Sequence, residues 1–196
     1  MLFRSIYAET TDNNIIDIHT VAGGSITAKH GVGLQTLAVD GTTNIDIGAD
    51  ISGSTQGISA RASGTGTINI DTASGTTITG LATGILAEAS GGDINIGIVN
   101  NGGLLGAVSG GTGIDARTTG DGQIQIRTST NGATVSGTSG QGIRTRAQNG
   151  TTSIAVGSNV TGATYGIEAT STSGFISIST VAGSTVSGGT NGIVTN

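Results

Sequence analysis

Cysteine, proline and tryptophan are missing from this 196-residue chain, and its only aromatic residues are Phe3, Tyr7, Tyr165 and Phe175. Without cysteine there is no disulfide framework, thiolate metal site or thiol nucleophile, and export through an oxidising periplasm meets no obstacle. Without proline, which donates no hydrogen bond to a sheet, backbone ladders can run uninterrupted. The scarcity of aromatics excludes the usual globular core of large side chains. Ile, Val, Leu and Ala are what remain to fill an interior, which must therefore be narrow. Seven basic residues stand against twelve acidic ones, a net charge of −5, and the basic ones are scattered, which argues against nucleic-acid binding. No apolar run approaches membrane-spanning length, and the opening Met1-Leu2-Phe3-Arg4-Ser5 lacks the basic and apolar regions of a signal peptide. Direct membrane insertion of this segment is not expected.

What the chain has in excess is glycine, 37 residues of it, together with Ser and Thr. Such a composition can mark a disordered linker that buries too little apolar surface to offset chain entropy, but the apolar residues here are regularly spaced. A Gly-Ile step recurs at Gly57-Ile58, Gly84-Ile85, Gly113-Ile114, Gly142-Ile143, Gly166-Ile167 and Gly192-Ile193, with Gly33-Leu34 as an earlier variant. Two residues beyond comes a small residue, as in Ala60, Ala87, Ala116 and Thr145. About ten residues later stands an Ile-x-Ile or Ile-x-Val pair: Ile16/Ile18, Ile45/Ile47, Ile68/Ile70, Ile94/Ile96, Ile124/Ile126, Ile154/Val156 and Ile176/Ile178. A third apolar position follows, at Ile26, Ile51, Ile78, Val108, Val135, Val160 and Val186.

Period-two alternation of β-branched residues is the mark of strands with one face inward. The pattern predicts three short strands per coil and about seven coils of 24 to 29 residues: an all-β chain folded as a single right-handed parallel β-helix of triangular cross-section. Helical repeats would pay heavily for so many glycines and β-branched residues, and the Leu-x-x-Leu-x-Leu signature of leucine-rich repeats is missing. With neighbouring rungs about 4.8 Å apart, seven coils make a rod of about 35 Å. Its bare ends would invite edge association, so the chain is expected to be an excerpt of a longer solenoid. The longest gap between second and third strands, Gly97 to Ala107, contains Asn100-Asn101-Gly102-Gly103 and reads as a protruding loop.

The units Gly57-Ile58-Ser59-Ala60, Gly64-Thr65-Gly66-Thr67-Ile68-Asn69-Ile70 and Thr77-Ile78-Thr79-Gly80 resemble the glycine-rich repeats of bacterial type V autotransporter passengers, and the resemblance covers nearly the whole chain. It implies a secreted or cell-surface passenger carried by a C-terminal membrane barrel. Such passengers commonly act as adhesins, self-association modules or scaffolds, so the implied partners are a host-cell receptor, a glycan or another copy. The signal peptide and barrel are not in this sequence.

Charge gathers on the outward positions of the first strand, at Arg61, Glu88, Asp115, Arg117, Arg144, Arg146 and Glu168. Adjacent rungs should pair Arg61 with Glu88, Glu88 with Arg117, Asp115 with Arg144, and Arg144 with Glu168. One reading is a solvated ionic ladder in which each pair contributes 0 to about 1 kcal/mol; the other is a recognition face. The second strand's outward column is expected to run Asp17, Asp46, Asn69, Asn95, Gln125, Ala155 and Ser177, with stacked amides satisfying one another.

Asp17 and Asp46 on neighbouring rungs would approach the carboxylate spacing of a retaining glycosidase, or form a weak cation site with Asp50 or His19. A polysaccharide lyase or hydrolase is the alternative function. Long loops and aromatic sugar platforms are what it would need, and the chain offers neither, so no catalytic, cofactor or metal residue is assigned. His19 and His30 are expected on exposed strand or turn positions, and Gly91-Gly92-Asp93 and Gly120-Asp121-Gly122 in turns. Ice binding, which needs a regular flat Thr array, finds no support at Thr128/Thr130, because neighbouring coils do not repeat that pair.

The inward and outward assignments carry a direct test. Ile124→Asp would bury a charge without a partner and cost several kcal/mol, whereas Gln125→Asp would change little. Thermal melting of the two variants should differ widely; equal shifts would refute the alternation.

Overall fold

The computed structural model describes residues 2–3, 5–99, 102–130 and 134–196. Among them every regular element is a strand, and the strands assemble into three parallel sheets of eight, seven and eight members. Each coil contributes one strand to each sheet. In the third coil these are Gln56–Ala62 in the first sheet, Ile68–Thr72 in the second and Thr77–Gly80 in the third. The chain is a parallel β-solenoid of about seven coils, and Ile, Val and Ala from all three sheets fill its interior.

Register shows how the apolar residues stack. Leu34, Ile58, Ile85, Ile114, Ile143 and Ile167 form one inward column of the first sheet, and Ile51, Ile78, Val108, Val135 and Val160 one of the third. In the second sheet five of the predicted pairs align, and two are displaced by two residues. Thr43 and Ile45, not Ile45 and Ile47, stand opposite Ile68 and Ile70, and Thr152 with Ile154 takes the place expected of Ile154 with Val156. The displaced residues still point inward, because a shift of two preserves the face.

These two coils differ from the rest in a coordinated way. Thr36 stands where the next coil has Ala60, and Thr43 where it has Ile68; Thr145 and Thr152 repeat the substitution opposite Ala116 and Ile124. A small residue grows while a large one shrinks, so the interior stays filled. The same two coils have short second-to-third turns, at Gly48–Ala49 and Gly157–Asn159. Coils on either side keep a longer turn, as at Gly23, Gly75 and Gly183, whose φ of 80, 81 and 88° lies in the left-handed region open to glycine.

At the end of the second strand the inward column alternates Thr20, Ile47, Thr72, Leu104, Thr128, Val156 and Thr180. Thr hydroxyls in this column accept from backbone N–H groups of the next coil: Thr20 from Gly48 at 2.9 Å, Thr72 from Gly106 at 2.9 Å, Thr128 from Gly157 at 3.0 Å. Leu104 corrects the expected loop. It is fully buried and bridged to Thr128, so the excursion leaves the sheet after Ile96 and is back in register at Leu104. Asn100 and Asn101 of that segment lie outside the described residues.

Glycines occupy the corners for want of space. A Cβ on Gly80 would lie 2.1 Å from the Thr83 carbonyl oxygen, and one on Gly84 would lie 2.7 Å from the carbonyl oxygen of Gly113 in the next coil. Between first and second sheets, Gly66, Gly92, Gly122, Gly150 and Gly174 stack directly: a Cβ on Gly92 would meet the Gly66 carbonyl oxygen at 2.0 Å.

The outward face of the third sheet is built of short polar side chains. One column runs Thr27, Ser52, Thr79, Ser109, Ser136, Thr161 and Ser187, a hydroxyl on every coil. Two residues earlier, at or just before the start of the same strands, stand Ser25, Asp50, Thr77, Ala107, Thr134, Asn159 and Thr185.

Among the described residues the hydroxyls of Thr36, Thr43, Thr145 and Thr152 are buried with no hydrogen-bond partner, a state that costs about 1 to 3 kcal/mol per group. Thr43→Val and Thr152→Val should each raise the urea midpoint, by an amount corresponding to about 1 kcal/mol. A lowered midpoint would show that these hydroxyls are bonded in the core.

Candidate recognition face on the first sheet

Two outward columns cover the first sheet. The column nearer the third sheet runs Tyr7, Gln35, Ser59, Leu86, Asp115, Arg144, Glu168 and Val194; its neighbour runs Glu9, Leu37, Arg61, Glu88, Arg117, Arg146 and Thr170. All seven sequence-predicted residues lie on this face, on five consecutive coils.

Their environments differ more than a solvated ladder allows. Arg61 is the outer end of the ladder, its Nε 3.0 Å from Glu88 Oε2, and Glu88 Oε1 lies 3.4 Å from Arg117 Nη1. Asp115, expected in solvent, is 1 % exposed. Arg144 grips it with both Nε and Nη2, at 3.1 and 2.5 Å, and Arg117 Nη2 donates to it from the other side. Two guanidinium groups thus roof a short carboxylate that cannot reach past them. Ser59 and Leu86, which stand in the same outward column, are buried as well.

The expected pairing of Arg144 with Glu168 gives way to this arrangement. The two residues are in register, but Arg144 turns to Asp115 and the Glu168 carboxylate accepts from Gln141 Nε2 at 2.8 Å. Arg146 is exposed beside Arg117 in the register.

Beside the second column lies a groove of about 540 Å3. It is lined by the buried Ala38, Ala62 and Ala89, by Arg61, Glu88 and Arg117, and by the turn residues Ser63, Ser90 and Thr119, with Glu9 and Leu37 at one end. It crosses five coils, roughly 19 Å at the rung spacing of a sheet. Sequence reasoning missed it, because its floor is made of inward alanines that surface only where the sheet turns its corner.

The other candidates separate. Asp17 stands opposite Asn44, and Asp46 opposite His19, so the two aspartates do not share a column and the glycosidase-like pair is not formed. Asp46 Oδ2 lies instead 3.1 Å from His19 Nδ1, and Asp50 Oδ1 accepts from the Thr77 backbone N–H at 2.8 Å in the third sheet. An amide ladder forms and begins one coil earlier, at Asn44: Asn95 donates to Asn69 at 2.9 Å, and Asn69 to Asn44 at 2.8 Å. Ser153, not Ala155, continues the column after Gln125. Among the described residues no three of His, Cys, Asp and Glu gather as a metal site would require. His19 and His30 are exposed, and Asp93 and Asp121 sit in turns, as expected.

Comparison with known proteins returns no family model, curated protein or solved structure that matches the chain. The class that the fold defines is a parallel β-solenoid.

Burial alone would push the Asp115 carboxyl up, but the hydrogen bonds and charges of Arg144 and Arg117 outweigh it and hold it below the usual carboxylate range. A carboxyl depressed in the folded state stabilises the fold above its unfolded pKa of about 3.9 and loses that contribution as pH falls through the folded value. Acid unfolding should therefore lose part of its pH dependence in Asp115→Asn. Asp115→Ala, which leaves two guanidinium groups facing a buried gap, should cost about 3 kcal/mol at neutral pH. Arg61→Ala, at an exposed pair, should cost less than about 1 kcal/mol. Similar melting shifts for the two alanine variants would contradict the roofed arrangement.

Proposed function

We propose that the chain is a non-catalytic adhesive segment of a secreted or surface-displayed passenger of the autotransporter type, presenting the outer face of its first sheet to a host-cell receptor, a glycan or another copy of itself. The single observation that carries this reading is that charge and concavity coincide there. Arg61, Glu88 and Arg117 line a groove that follows the rod axis over five coils, and Arg61 and Arg146 stay exposed beside it. Arg offers a planar fork suited to carboxylate and sulfate groups. A groove along the axis suits an extended polymer. The repeat units that resemble autotransporter passengers support the cellular setting, and the regular, short-turned coils support a display role over catalysis.

The burial of Asp115 decides which residues can test the face. Reversing Arg117 or Arg144 would leave a buried carboxylate without its roof and damage the rod, so Arg61 and Arg146 are the informative pair. Arg61→Glu with Arg146→Glu should weaken retention on immobilised heparin and on host cells and reduce its salt sensitivity, with melting unchanged. Gln125→Glu on the second sheet should bind as the unchanged chain does. Undiminished binding by the double variant would reject this face. If the unchanged chain binds neither heparin nor cells and sediments as a monomer, the adhesive reading fails and a spacer remains.

A further inference from the structure

The third sheet carries a different surface. Its hydroxyl column, from Thr27 to Ser187, is unbroken over seven coils, whereas the outward columns of the first sheet change chemistry from coil to coil. Its outward positions in the described strands from Ser25 to Ser187 hold no Lys, Arg or Glu. The parallel rank two residues away, about 6.7 Å along the strand, is hydroxyl-bearing at Ser25, Thr77, Thr134 and Thr185. Its one carboxylate and one amide are engaged within the rank: Asp50 accepts from the Thr77 N–H at 2.8 Å and Asn159 from the Thr185 N–H at 3.1 Å. Between the ranks on the first three coils lies a trough of about 330 Å3, lined by Ser25, Thr27, Asp50, Ser52, Thr77 and Thr79.

We propose that this face binds ice. A hydroxyl gains nothing by exchanging one liquid water for another. A rigid array gains when it holds many waters at once in places a crystal already requires. Each Ser or Thr hydroxyl both donates and accepts, and on so short a side chain it keeps little freedom to lose. The ladder repeats it about every 4.8 Å, close to the oxygen repeat of hexagonal ice, and the trough has room for a file of waters between ranks. The turn alternation and the Gly97–Gly103 excursion leave the array undisturbed, since Ile78, Val108 and Val135 stay in register beneath it. Thr128, by contrast, is buried and inward, so it could not have revealed the array. Ala107 is the one apolar residue in the two ranks.

The test is ice-affinity partition of the purified chain, with thermal hysteresis and ice-crystal shaping as second readouts. The unchanged chain should enter a slowly growing ice hemisphere and facet small crystals. Thr79→Tyr with Ser109→Tyr, and separately Thr161→Lys at an exposed position, should lose both effects while circular dichroism and melting stay unchanged. Gln125→Tyr on the second sheet should keep them. Exclusion of the unchanged chain from ice overturns the proposal, as does retention of ice affinity by folded Thr79→Tyr/Ser109→Tyr and Thr161→Lys. Retention on microcrystalline cellulose without entry into ice also overturns it, and would assign the array to a crystalline polysaccharide. None of these substitutions touches the first sheet, so loss of heparin or cell binding is a separate result.

Discussion

Coils that stack about 4.8 Å apart leave no room for a side chain directed along the rod axis, and on most coils a Cβ would turn that way at two corners, between the third and first sheets and between the first and second. The clashes a Cβ would make at Gly84 and Gly92 are with backbone carbonyl oxygens of adjoining coils, which cannot move without breaking the ladder. Glycine is therefore demanded at these corners by the stacking itself. The unusual composition follows from that demand. So does the narrow interior: with the backbones this close and the corners this tight, only Ile, Val, Leu, Ala and an occasional Thr fit inside.

The same constraint decides where function can sit. A rod of stacked coils offers outward columns in which one side chain per coil repeats at rung spacing. The first sheet uses its columns for charge, burying Asp115 under Arg117 and Arg144 and leaving Arg61, paired with Glu88, and Arg146 exposed. The third uses them for hydroxyls. Under either proposal the chemistry acts through repetition, so affinity would grow with the number of coils engaged rather than with the strength of one contact.

Much of this was legible in the residues. The Gly-Ile steps and Ile-x-Ile pairs gave three strands per coil and the inward face of nearly every one, because period-two alternation maps directly onto the pleat. What stayed hidden was register. Ile45/Ile47 and Ile154/Val156 look like the other pairs, yet Thr43 and Thr152 take the first inward place, since Thr beside Thr fills the interior volume that Ala beside Ile fills in other coils. That slip of two placed Asp46 beside Asp17 on paper, while the fold sets it opposite His19. The charged face was found residue by residue, but its electrostatics were not. Burial of Asp115 depends on two arginines, one on its own strand and one on the next coil, and only the third dimension brings both to one carboxylate. A Ser or Thr after each third apolar position is legible in the residues, but its alignment into one outward column is not, because the turns before it vary in length.

Gly91 and Gly92 allow the central constraint to be measured within one turn. A Cβ on Gly92 would lie 2.0 Å from the Gly66 carbonyl oxygen, whereas one on Gly91 would come no nearer than 3.4 Å to any neighbour, and neither glycine has the left-handed φ that would complicate the comparison. Thermal melting of Gly92→Ala and Gly91→Ala against the unchanged chain should show a destabilisation on the order of 3 kcal/mol for the first and almost none for the second. Equal melting temperatures for the two variants would contradict the account, because the corner glycines would then not be required by the stacking of the coils.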